Sequence, residues 1–80
     1  MRSIPIYRKG LWIHYELPES GISLWSQSLK YQAASLYATA LMKGFSKETS
    51  SILAEVFVNK EIYGVTYNQN LESALKSLFV

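Results

Sequence analysis

The chain of 80 residues has no cysteine and no aspartate, a single histidine, two prolines and four glycines. Without cysteine there is no disulfide framework, no thiolate metal cluster and no thiol nucleophile. One histidine and six scattered glutamates do not give the ligand spacing of a tetrahedral metal site. The glycines Gly10, Gly21, Gly44 and Gly64 stand alone, so no glycine-rich loop cradles a phosphate. None of the eleven serines lies in a Gly-x-Ser-x-Gly elbow, and no base and orienting group are legible around any of them. Glu48 and Glu55 could share a helix face as an acid–base pair, but that spacing recurs on any solvated helix. The expectation is a protein with no catalytic residues, no metal and no cofactor.

Long apolar runs are missing as well. Met1-Arg2-Ser3-Ile4-Pro5 is not the hydrophobic stretch of an export signal. The most apolar window, Ser20 to Met42, is interrupted by serines, glutamines and Lys30 and is too polar for a membrane span. Charged residues are only 18% against 49% hydrophobic, a balance that folds rather than one that stays disordered. Length and composition thus point to a single domain over 1–80, expected in the cytoplasm and away from membranes. A domain this small buries only roughly 60–65% of its unfolded surface, so a partner or a homodimer is a natural source of further stability.

Aromatic residues are plentiful: six tyrosines, three phenylalanines and two tryptophans. The first of them sit in two short runs around Lys9-Gly10. In Leu11–Leu17 the residues Leu11, Ile13, Tyr15 and Leu17 alternate with Trp12, His14 and Glu16, the period of a half-buried strand. A two-residue turn at Lys9-Gly10 predicts a hairpin over 4–17 with Tyr7 opposite Trp12, Ile6 opposite Ile13, Pro5 opposite His14 and Ile4 opposite Tyr15. Ile4, Ile6, Ile13 and Tyr15 then share the core face. Pro5 cannot donate to a ladder, so its strand is an edge.

Helical spacing follows. Trp25, Leu29, Ala33, Leu36 and Ala40 form one stripe, with Tyr37 and Leu41 beside it. Capped by Ser20 or Ser23 and stopped at Lys43-Gly44, it predicts a helix over about 22–43. Ser46 caps a second, over about 47–63, whose apolar face reads Ile52, Leu53, Val56, Phe57 and Tyr63, and Gly64 ends it. Residues 65–67 could add a short third strand. Asn70 would cap a last helix over about 70–79 with Leu71, Ala74, Leu75, Leu78 and Phe79 on one side and a Glu72–Lys76 pair on the surface. The fold class is α+β, in the order β-β-α-α-α.

Charge is unevenly placed. Arg2, Arg8 and Lys9 against Glu16 give the first 17 residues the entire net charge of +2, while five lysines and five glutamates cancel in the remainder. The basic residues flank a hairpin face carrying Tyr7, Trp12 and His14, and large aromatics on such a face need a cover. Helices or a second copy could supply it. A protein partner could, since Trp, Tyr and Arg are the usual anchors of interfaces. Unpaired nucleic acid bases could stack there, but three cations are a thin footprint for phosphate binding. The last helix holds one cation and one anion, unlike a recognition helix in a major groove. In a ribbon-helix-helix, Glu16 would face phosphates. No helix is basic and amphipathic enough for a membrane surface. The reading is a small regulator, adaptor or inhibitor that binds another protein through Tyr7, Arg8, Lys9, Trp12 and His14, with nucleic-acid binding by the same hairpin as the alternative.

Overall fold

A computed structural model describes residues 3–18, 25–64 and 69–78. Two strands, β1 (Ser3–Arg8) and β2 (Leu11–Glu16), precede three helices, α1 (Gln27–Met42), α2 (Lys47–Tyr63) and α3 (Gln69–Ser77). This is the α+β order expected from the sequence. The third strand proposed at 65–67 lies outside the described residues.

The strands pair antiparallel in the anticipated register, from Ser3 opposite Glu16 to Arg8 opposite Leu11. The turn explains the register. Lys9 and Gly10 have φ of 49° and 82°, the positive pair that a two-residue turn matching strand twist requires. Gly10 adopts this conformation without a Cβ penalty, whereas Lys9 adopts it at some cost. Pleating then sends Ile4, Ile6, Ile13 and Tyr15 to one side and Pro5, Tyr7, Trp12, His14 and Glu16 to the other.

Helix α1 is the centre of the molecule, with the hairpin packed on it from one direction and α2 from another. Its burial reflects that position. Ala33, Ala34, Ala38 and Ala40 are inaccessible, and Leu36 and Tyr37 nearly so. A helix covered on two sides buries more than one stripe, and its small residues let its neighbours come close. Enlarging such a site overpacks it. Ala34→Leu is expected to lower unfolding stability by about 1–3 kcal/mol in a urea titration.

Two sequence expectations are corrected here. The N-cap of α1 is Ser26, whose hydroxyl accepts from the Leu29 N–H at 3.1 Å, and not Ser20 or Ser23, which lie outside the described residues. Trp25 is buried just before the cap rather than within the helix. On α2 the inward face is Ser50, Leu53, Ala54 and Val58, while Ile52 and Tyr63 are exposed and Val56 and Phe57 half-buried. Small residues win the interior positions because they meet an alanine-rich helix.

The bounds of α2 match expectation. Ser46 accepts from the Thr49 N–H at 3.1 Å, Glu48 sits in the first turn, and Gly64 closes the helix with φ of 73° and its N–H on the Lys60 carbonyl at 2.8 Å. Ser46→Ala is expected to cost about 1 kcal/mol, read as a lower melting temperature. α3 packs on α2, and its Leu75, with Leu78 just after it, joins the core. It begins at Gln69, one residue before the expected cap Asn70; the side chains of Leu71, Glu72 and Phe79 lie outside the described residues.

Candidate functional site

The outer face of the hairpin gathers most of the residues singled out from the sequence. Tyr7 and Trp12 are opposite each other in the ladder, and their rings meet edge to face with centroids 5.1 Å apart and planes at 62°. Such a cross-strand pair rigidifies both rings. They are nonetheless 57% and 65% exposed, and no described helix covers them. His14 follows two residues after Trp12 on the same side and is exposed, as is Glu16 beyond it. Lys9 is exposed at the turn.

Arg8 is placed differently. By pleat it belongs to the helix side, where it is half-buried and its guanidinium donates to the Ser35 hydroxyl of α1 at 2.7 Å. The basic charge on the outer face is reduced accordingly. A hydrogen bond from a charged donor in a half-buried setting holds the hairpin tip against α1. Arg8→Ala is therefore expected to loosen the hairpin, lowering urea stability by about 1–2 kcal/mol while leaving Tyr7 and Trp12 in place.

The aromatic pair borders a feature that sequence reasoning missed. His14 and Glu16 of β2, Tyr37 of α1, and Lys47, Glu48 and Ser51 of α2 line a cleft of about 320 Å³. They come from three elements separated by many residues, so no local spacing announces them. Tyr37 was legible only as an apolar-stripe residue. The available hint was parity, since Glu16 shares a strand face with Trp12 and His14. Tyr37 is 7% exposed, and its hydroxyl is pushed above its ordinary pKa, first by burial and then by the carboxylates of Glu16 and Glu48. The cleft thus combines the Tyr37 phenol with two acceptor-only carboxylates.

Behind it, Tyr15 packs its ring against Tyr37, centroids 5.1 Å apart. Tyr15 is 1% exposed and its hydroxyl has no hydrogen-bond partner among the described residues, a condition shared by Ser50. Burial, with help from Glu55 and Tyr37, holds the Tyr15 hydroxyl far above the ordinary tyrosine pKa. It is a core residue of the hairpin–α1 contact.

Ser51 and His14 share the cleft but no hydrogen bond joins them, so no nucleophile–base pair is assembled among the described residues. No group of three metal-ligating side chains forms among them either. No described helix is long and apolar enough to cross a membrane.

The chain was compared with family models, curated proteins and solved structures, and none matches it. What defines it is therefore its own geometry: a small α+β domain with a solvent-facing aromatic hairpin.

Proposed function

We propose that this chain is a non-catalytic protein-interaction module, a small regulator, adaptor or inhibitor that binds another protein through the outer face of its N-terminal hairpin. The observation that carries the reading is the exposed, mutually braced Tyr7–Trp12 pair. Rigid aromatics lose little conformational freedom on binding and bury large area, which is why they recur as interface anchors. His14 and Lys9 extend the contact on either side, and Arg8 supports it from beneath by its bond to Ser35. The cytoplasm is the proposed setting, consistent with a chain that uses no cysteine. A homodimer through the same face is one form the interaction could take.

Nucleic-acid binding is less well supported. With Arg8 turned towards α1, phosphate contacts on the outer face would fall mainly to Lys9, and Glu16 on the same face repels phosphates. Capture from a lysate of the source organism, with and without nuclease, separates the two. We expect a protein captured in stoichiometric amount that survives nuclease, and whose affinity changes less than about threefold between 50 and 200 mM salt. An affinity that collapses over the same range would instead report counterion release from phosphates.

A further inference from the structure

The hairpin is a sheet of two strands, so each strand has one edge without a ladder partner among the described residues. The turn decides which backbone groups face those edges. Arg8 and Leu11 flank the two-residue turn as a hydrogen-bonded pair, and bonded and unbonded pairs alternate from there. Ile6–Ile13 and Ile4–Tyr15 are then bonded, whereas Tyr7–Trp12, Pro5–His14 and Ser3–Glu16 turn their backbone groups outward. Pro5 agrees with this assignment, because a residue without an N–H fits a regular ladder at an unbonded pair. The two edges therefore differ. On β1 the central outward donor is missing at Pro5, which blocks pairing there. On β2, Trp12, His14 and Glu16 each offer an N–H and a C=O. All three residues are exposed, and among the described residues no backbone group outside the hairpin bonds to them. α1 packs more closely under β1 than under β2, and a gap of about 320 Å³ lies between β2 and α2. Leu11 marks the same side as uncovered: its pleat sends it towards the helices, yet it is 59% exposed.

We propose that the free edge of β2 pairs antiparallel with β2 of a second copy of this chain, about a two-fold axis at His14. The strand is complementary to itself in that register. Trp12 lies opposite Glu16 of the second copy, His14 opposite His14, and Glu16 opposite Trp12. Each is an outward-facing pair that exchanges two backbone hydrogen bonds. No other antiparallel register of Leu11–Glu16 on itself forms three such pairs. The pairs between them set Ile13 against Tyr15 of the second copy and the exposed Leu11 against its Leu17, apolar against apolar. The strand's one carboxylate, Glu16, meets Trp12 and no like charge. The assembly also closes. Four strands run in the order β1-β2-β2-β1, and both outer edges of that sheet carry Pro5, so pairing stops at two copies. Both α1 helices then lie beneath the sheet, and both Tyr7–Trp12 pairs share its other face. Because the contact is made by backbone at the edge, that face stays free, and the dimer does not depend on the interaction reading given above.

Sedimentation equilibrium of the full chain reads the assembly. A monomer–dimer equilibrium half-formed between about 10 µM and about 1 mM is expected, the range of a small interface, with no larger species. As the dimer forms, hydrogen exchange at the Trp12, His14 and Glu16 amides should slow at least about fivefold, while the Ser3 and Tyr7 amides on the other edge keep their rates. In a mixture of isotope-labelled and unlabelled chains, a contact between the α-protons of Ile13 in one copy and Tyr15 in the other is expected and fixes the register. His14→Pro falls opposite Pro5 at an unbonded pair, so it removes no bond from the hairpin itself. It is expected to weaken the dimer at least about tenfold, whereas Ser3→Pro, the matching loss on the edge of β1, is expected to change it less than about twofold. Should His14→Pro fail to fold, the contact between Ile13 and Tyr15 in the parent chain decides. A chain that stays monomeric at about 1 mM overturns the proposal, as does a dimer without that contact. Slowed exchange at Ser3 and Tyr7 instead would place the pairing on β1. A dimer that protects no edge amide would join through the aromatic faces, and either result rejects the β2 edge.

Discussion

Trp12→Ala is expected to weaken binding of the captured protein by about 30-fold or more while the domain stays folded. The first half follows from the energetics of interface anchors, where truncating a central tryptophan costs about 2 kcal/mol or more. The second half follows from exposure. Trp12 is 65% accessible, and its one ring contact among the described residues is Tyr7 on the same hairpin. Losing an exposed cross-strand aromatic pair costs about 1 kcal/mol at most. Far-ultraviolet circular dichroism and urea midpoints would confirm the fold, and titration of the captured protein would give the affinity. A variant that binds as tightly as the parent removes the hairpin from the interface. A variant that unfolds makes the pair part of the domain's own stability.

The largest stability effect is expected at Tyr15, and its sign depends on which atoms are removed. Tyr15→Ala deletes a ring that is 1% exposed and leaves a cavity between the hairpin and α1, a loss of about 3–5 kcal/mol. For an 80-residue domain, whose net stability is of that same order, this unfolds most of the population. Tyr15→Phe retains the ring and removes the orphaned hydroxyl. Because an unsatisfied buried hydroxyl is itself destabilising, the phenylalanine variant is expected to gain about 1 kcal/mol. A loss of that size would instead show that the hydroxyl is satisfied.

The same residue gives an alkaline signature. Its folded pKa is raised above the ordinary value of 10.0. Up to that pH the phenol is neutral in both states and stability is unaffected. Above it the unfolded tyrosine loses its proton while the folded one keeps it, so stability falls as pH rises. The slope approaches about 1.4 kcal/mol per pH unit for this one group. Tyr37, raised in the same direction, adds to the loss. Unfolding free energies measured on either side of pH 10 should show a steeper fall in the parent than in Tyr15→Phe. Equal slopes would contradict the account of Tyr15.

The hairpin was legible in the sequence because several local signals agree there. Gly10 supplies the turn, the alternation of Leu11–Leu17 supplies the faces, and Pro5 fits a strand with a free edge. Ser46 and Gly64 likewise marked both ends of α2. The start of α1 was misplaced because several closely spaced serines compete as caps. The choice among them depends on where Trp25 enters the core, which is a tertiary matter. The inward face of α2 was misread for a related reason. Periodicity favours the largest apolar residues, so Ile52 and Tyr63 looked interior. The alanines of α1 instead admit Ser50 and Ala54, and leave Ile52 and Tyr63 in water. For the site, pleat parity put Tyr7, Trp12 and His14 on one face, while the same parity sends Arg8 to the other, where it finds Ser35. The cleft was illegible because its residues meet only once the hairpin, α1 and α2 have packed.

In the proposed complex Trp12 is covered by another protein. The most direct test labels the chain with 5-fluorotryptophan and follows fluorine resonances, which number two because Trp12 and Trp25 are the only tryptophans. Trp12→Phe assigns them. In the free chain the Trp12 resonance should show a strong solvent isotope shift and the buried Trp25 little. On adding the captured protein, the Trp12 resonance is expected to move and to lose that isotope shift while Trp25 stays in place. A Trp12 resonance that keeps its position and its solvent sensitivity in the complex would contradict it.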